Sequence, residues 1–133
     1  MSRHPFRERK QQDMDKQTQL NNIISGLRSA VSELRDVLIA STDGLAISHS
    51  LTAGDPNRVA AMAAATLGVG KRISTTLELG ELQETAVKSE EGQVFLYAIA
   101  DKGVLVLIAQ ADANVGLIHL EARDAARRIA EIL

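Results

Sequence analysis

The chain has 133 residues, 45% of them apolar and 24% charged, with a net charge of −2 and neither Cys nor Trp. That length suits one domain around one core, and the lack of Cys excludes a disulfide framework and thiolate metal sites and makes an intracellular protein the easier reading. No apolar run approaches the ~18–20 residues of a membrane span.

Charge is unevenly spread. Arg3, Arg7, Arg9 and Lys10 against Glu8 give the first 12 residues +3, which leaves −5 on the remainder of a chain of net −2. An acidic body argues against a nucleic-acid-binding domain. Residues 1–14 read as a disordered, solvated basic arm, with contact to an acidic partner or an anionic surface as the other reading. The arm has no apolar segment, so no secretory signal is expected and the protein is read as cytoplasmic. The folded domain is expected over residues 15–133.

From Asp15 onward, Leu20, Ile23, Ile24, Leu27, Val31 and Leu34 recur at spacings of three and four, an apolar stripe on a helix of about four or five turns. Gly26 within it costs about 1 kcal/mol relative to Ala, which points to a close packing contact there. Asp36–Ser41 and Leu45–Ser50 are short apolar runs around Thr42-Asp43-Gly44. They read as a β-hairpin, since the glycine accepts the positive φ of such a turn.

Asp55-Pro56 is an N-cap followed by a first-turn proline. It predicts a second helix from Pro56 to Leu79, with Gly80 at C′. Three strands follow. Leu82–Ser89 mixes polar and apolar residues as edge strands do, whereas Val94–Ile99 and Val104–Ala109 are continuous apolar runs, as in interior strands covered on both faces. Asn114 is a good N-cap for a closing helix whose buried stripe is Val115, Ile118, Ala122, Ala125, Ile129 and Ile132. The order α-β-β-α-β-β-β-α predicts an α/β (α+β) fold. One five-stranded antiparallel sheet would carry the first and last helices on one face and the middle helix on the other.

Residues for chemistry are scarce. His4, His49 and His119 share no metal-ligand spacing. Gly68-Val69-Gly70-Lys71 is not a phosphate loop, because Ala65 holds the first glycine position, Arg72 follows the lysine and the segment lies within a helix. Its glycines are better explained by close helix packing. Ser41, Asp43 and His49 do not make a triad: Asp43 is a turn residue and Ser41 has no nucleophile elbow around it. No catalytic residue, metal or cofactor is expected.

The middle helix is the informative element. Between Arg58 and Lys71 it reads VAAMAAATLGVG, without a charge and mostly small. At 100° per residue, Val59, Met62, Ala63, Thr66, Val69, Gly70, Ile73 and Leu77 gather on one face, which is assigned to the sheet. Ala61, Ala64, Ala65, Gly68, Lys71, Arg72 and Thr75 lie on the other, where small residues let a second backbone approach closely. The plainer accounts are helix propensity for the alanines and the helix dipole for Lys71 and Arg72. On the edge strand, pairing with a second copy about a two-fold axis at Ala86 would set Glu84 opposite Lys88 of that copy, a self-complementary register; edge protection is the alternative role of these charges.

Several stretches together resemble the Roadblock family, the dynein light-chain Roadblock type: Asp36–Leu45 (DVLIASTDGL), the small-residue middle helix, Asp101–Leu107 (DKGVLVL) and Ala111–Leu117 (ADANVGL). The resemblance covers roughly Asp15 to Leu133 and points to the family's bacterial or archaeal GTPase-regulator branch. It implies a homodimer with sheets joined edge to edge and middle helices side by side, binding small Ras-like GTPases through the helix platform as activator or scaffold. GTPase activators of the family reshape the GTPase's own site, so an empty catalytic inventory fits. The interface residues expected on these grounds are Ala61, Ala65, Gly68, Val69, Arg72, Thr75, Glu84, Ala86 and Lys88. The competing reading is a PAS- or profilin-like sensor with a ligand pocket, which the shortage of aromatic residues (Phe6, Phe95 and Tyr97) disfavours.

Overall fold

The computed structural model describes the backbone of residues 5–133 and the side chains of residues 15–133. Helices α1 (Pro5–Ala30), α2 (Pro56–Thr76) and α3 (Val115–Ile132) and strands β1 (Leu34–Ser41), β2 (Ala46–His49), β3 (Thr85–Lys88), β4 (Gln93–Ile99) and β5 (Gly103–Ala109) follow the predicted order. The strands form one antiparallel sheet, β2-β1-β5-β4-β3. The long apolar strands take the interior and the two short ones the edges.

Alternation along each strand divides the core in two. Val37, Ile39, Phe95, Tyr97, Ile99, Leu105 and Leu107 point to α1 and α3. Leu38, Ala40, Leu96, Val104 and Val106 point the other way and meet Ala60, Ala63 and Leu67 of α2. The layering is the one the element order predicts. Gly103 is needed where β5 crosses β1, since a β-carbon there would stand 2.3 Å from the Ala40 carbonyl oxygen.

All six residues of the first apolar stripe are buried, although the helix stops at Ala30, so Val31 lies in the connecting turn and Leu34 opens β1. α1 begins at Pro5, upstream of the expected start near Asp15, a proline being well suited to a first turn. Residues 1–4, and the side chains of the whole basic arm, lie outside the described residues. Gly26 faces outward and a β-carbon on it would meet nothing within 4 Å, so the expected packing contact is not made.

The second helix also ends early. Glu78 N–H donates to the Thr75 carbonyl and Leu79 N–H to that of Ser74, a Schellman closure with Leu77 as C-cap. The left-handed C′ residue is therefore Glu78, at φ 56, and not the predicted Gly80. β3 begins at Thr85 and not at Leu82, because the Leu82 side chain is drawn onto α2, 3.0 Å from where a Gly70 β-carbon would stand.

Candidate functional site

The orientation of α2 decides what the molecule offers to partners. Its buried residues are Ala60, Ala63, Leu67 and Ser74. Met62, Val69, Ile73 and Leu77, expected to face the sheet, are instead 52–62% exposed. The helix is rotated by about a quarter turn from the predicted setting. The physical reason lies in the sheet: Leu38, Leu96, Val104 and Val106 already fill that face, so alanines let the helix sit close at native packing density. Met62, Val69, Ile73 and Leu77 are left outside.

They do not point at random. Gly70 lies against Leu82 and Thr85, so that side of α2 looks toward β3. Met62, Val69 and Ile73 lie between that side and the outward pole of the helix. Thr85 and Val87, opposite Leu96 and Val94, face the same side of the sheet as α2, and Val87 is 47% exposed. An exposed apolar surface thus runs from the α2 flank toward the β3 edge, the kind of patch that marks a protein contact.

The two sheet edges differ in the same sense. On β2, the Ala46 N–H donates to Asn57 Oδ1 and the Ile47 carbonyl accepts from Gln17 Nε2. Among the described residues no side chain hydrogen-bonds to the backbone of Thr85–Lys88. One edge is closed by side chains and the other is left open for pairing.

Of the expected interface residues, Val69 lies on the apolar flank and Ala65 near the outward pole. Ala61, Gly68, Arg72 and Thr75 are exposed on the opposite flank, where Ala61 also packs against the β1–β2 turn: a β-carbon on Gly44 would reach 3.0 Å from its Cα. A β-carbon on Gly68 would meet nothing within 4 Å, so close packing there is not made within the chain, whereas Gly70 does have it. Ala86 and Lys88 are exposed on the α3 side of the sheet, opposite Phe95 and Gln93. Glu84 already has partners in its own chain. Its Oε2 lies 2.6 Å from His119 Nδ1, and the Tyr97 hydroxyl contacts the same nitrogen. Burial, then the Glu84 charge and a hydrogen bond to it, push the Tyr97 phenol well above the usual tyrosine range.

The sequence does not single out Met62, Ile73, Leu77 and Val87 as exposed apolar residues. The helical spacing of Met62, Ile73 and Leu77 is visible in the sequence, but spacing cannot say which of two surfaces a stripe covers. The Tyr97, His119 and Glu84 cluster joins β4, α3 and the segment leading into β3, and leaves no local signal. Ser41 and His49 serve their turns, accepting from the Leu45 and Leu51 N–H groups. Among the described residues no group of three or more His, Asp or Glu is placed to hold a metal ion, and no helix is long and apolar enough to cross a membrane. An open cleft of about 1350 Å³ lies between the end of α2, β4 and α3, lined among others by Lys71, Arg123, Arg127, Glu78, Glu81 and Asp101.

Comparison with known proteins agrees with this architecture. A family model described as Roadblock/LC7 domain matches residues 20–109. The protein MJ1340 of Methanocaldococcus jannaschii is 32% identical over 97 residues, 72% of this chain and 84% of that protein. Among solved structures, a Roadblock/LC7 domain from Streptomyces avermitilis superposes with a TM-score of 0.78 at 18% identity, covering 84% of this chain and 94% of that one. MglB of Myxococcus xanthus gives 0.79 at 17% identity, covering 86% and 94%.

Proposed function

The chain belongs to the Roadblock/LC7 domain family, and we propose that it works as a homodimeric, non-catalytic regulatory or scaffold module that binds a small Ras-like GTPase in the cytoplasm. The observation that carries the dimer is the continuity of the exposed α2 flank (Met62, Val69, Ile73) with the unpaired β3 edge, set against a β2 edge that Asn57 and Gln17 close. Pairing β3 with its copy about a two-fold axis would extend the sheet and bring the two α2 flanks together, a self-complementary contact. Burial of large apolar side chains would drive it and the strand edge would set its register.

The other flank of α2, with Ala61, Ala65, Gly68 and Arg72, would then lie on the dimer's surface as the GTPase platform. Its small side chains suit close approach of a partner backbone, and Arg72 at its rim suits an acidic contact. The family assignment supports a GTPase partner. The cleft beside β4 is open and ringed by charges of both signs, which lends nothing to a sensor with an enclosed ligand pocket.

Sedimentation equilibrium tests the assembly: the wild type should be a dimer at micromolar concentration and Val69→Glu a folded monomer. Binding to a small Ras-like GTPase, loaded with GTP or GDP, tests the platform. Ala65→Glu should keep the fold and lose nucleotide-dependent binding, and GTP turnover with and without the protein separates activator from scaffold. A stable wild-type monomer, or no preference between nucleotide states, would refute the corresponding half of the reading.

A further inference from the structure

β3 is a four-residue strand with one neighbour. So short an edge has little hold of its own. On the α2 side it is fastened by Leu82 and Thr85 against Gly70. On the opposite side, α3 packs on α1, β4 and β5 and its backbone does not reach β3. Glu84 spans that gap. Its side chain turns under the sheet edge to His119 of α3, and its Oε2, sealed from solvent and without any other polar partner among the described residues, lies 2.6 Å from His119 Nδ1. The His119 ring is held in turn, edge-on to Phe95 at 5.7 Å between ring centres and 84° between planes, and to Tyr97 at 5.8 Å and 74°.

Hydrogen-bond accounting assigns the protons. A carboxylate only accepts, so the His119 nitrogen facing Glu84 carries hydrogen. The Tyr97 hydroxyl contacts the same nitrogen, and with hydrogen on that nitrogen its oxygen stands there as an acceptor. Side chains from β4 and α3 thus meet beside one carboxylate just ahead of β3. Charge-assisted bonds of this kind are stronger than neutral ones and fix direction.

We infer that Glu84, His119 and Tyr97 form a clasp through which α3, on the far face of the sheet, holds β3 in the position needed for pairing with a second copy. The inference rests on the reading of β3 as the dimer edge. His119 is a positioning residue in this scheme: it would touch no partner, and it removes the ordering cost that a loose edge strand would otherwise add to association.

Two measurements test it. In the first, the dimer dissociation constant is measured by sedimentation for wild type, His119→Ala and His119→Asn. Asn presents an amide N–H near the position of Nδ1, so it should keep wild-type affinity, while His119→Ala should weaken the dimer about tenfold, the effect of one or two newly mobile side chains. In the second, nitrogen-15 NMR of His119 should show hydrogen on Nδ1. This holds for the monomeric Val69→Glu variant too, and so does not depend on assembly. A dimeric wild type whose affinity His119→Ala leaves unchanged, Asn and Ala variants weakened alike, or a hydrogen found only on Nε2 would each overturn the clasp. A monomeric wild type would overturn the dimer reading and, with it, the role given to the clasp.

Discussion

Gly70 of α2 and Thr85 of β3 stand so close that a β-carbon on the glycine would come within 2.9 Å of the threonine hydroxyl oxygen, with Leu82 Cδ2 at 3.0 Å. β3 is thus seated in a notch that only glycine leaves open. Gly26, by contrast, opens onto empty space. Gly26→Ala should therefore stabilise the protein by about 1 kcal/mol, the helix-propensity difference. Gly70→Ala gains the same propensity but meets an overpacking cost of about 1–3 kcal/mol, so it should be less stable than wild type. Urea unfolding of the two variants side by side checks this; equal stabilisation would mean that β3 yields freely.

Glu78 occupies the left-handed C′ position of α2, a conformation that costs a side-chain-bearing residue about 1–2 kcal/mol. Glycine loses more entropy on folding, by about 0.4–1 kcal/mol. Glu78→Gly should still raise stability, by about 0.5–1 kcal/mol, and thermal unfolding should show a higher midpoint. Gly80→Ala, at φ 87, should lower it.

Asn57 closes the β2 edge by accepting from the Ala46 N–H at 3.0 Å. Asn57→Ala frees that donor. The expected loss is about 1 kcal/mol of stability, together with slow association through the exposed edge. Light scattering over time should show aggregation in the variant and none in wild type.

Tyr97 is the chain's single tyrosine, and there is no tryptophan, so its titration can be followed optically without overlap. Its folded pKa lies above the ordinary value, from burial first and the Glu84 carboxylate second. Below pH ~10 both folded and unfolded chains carry the phenolic proton and the contribution is whole. Above that pH the unfolded chain loses the proton and the folded one keeps it, so stability falls as pH rises, by up to about 1.4 kcal/mol per unit. Unfolding at a series of alkaline pH values should show that fall in wild type and a shallower one in Tyr97→Phe. Equal slopes would contradict the shift.

Much of the architecture was legible before any coordinates. The α1 stripe from Leu20 to Leu27, the caps at Asp55 and Asn114, and the continuous runs of β4 and β5 each carry a local physical signature that the structure bears out. Strand ends and the α2 terminus were read less well. Leu82 looked like strand but is captured by α2, and Gly80 looked like a cap but lies beyond the Schellman closure at Glu78. Both outcomes depend on contacts between elements.

Helical periodicity alone shows that Met62, Val69, Ile73 and Leu77 share a flank of α2. It does not say whether that flank meets the sheet or the outside, because an apolar stripe satisfies either. The packed sheet decides: its α2-facing side chains take Ala60, Ala63 and Leu67, and Met62, Val69, Ile73 and Leu77 are turned out toward the β3 edge. The chain therefore encodes its elements and their layering in short-range patterns. Which apolar face stays uncovered, which sheet edge stays open, and the meeting of Glu84 with His119 and Tyr97 come from the assembled fold, where volume, pleat direction and side-chain reach are settled together.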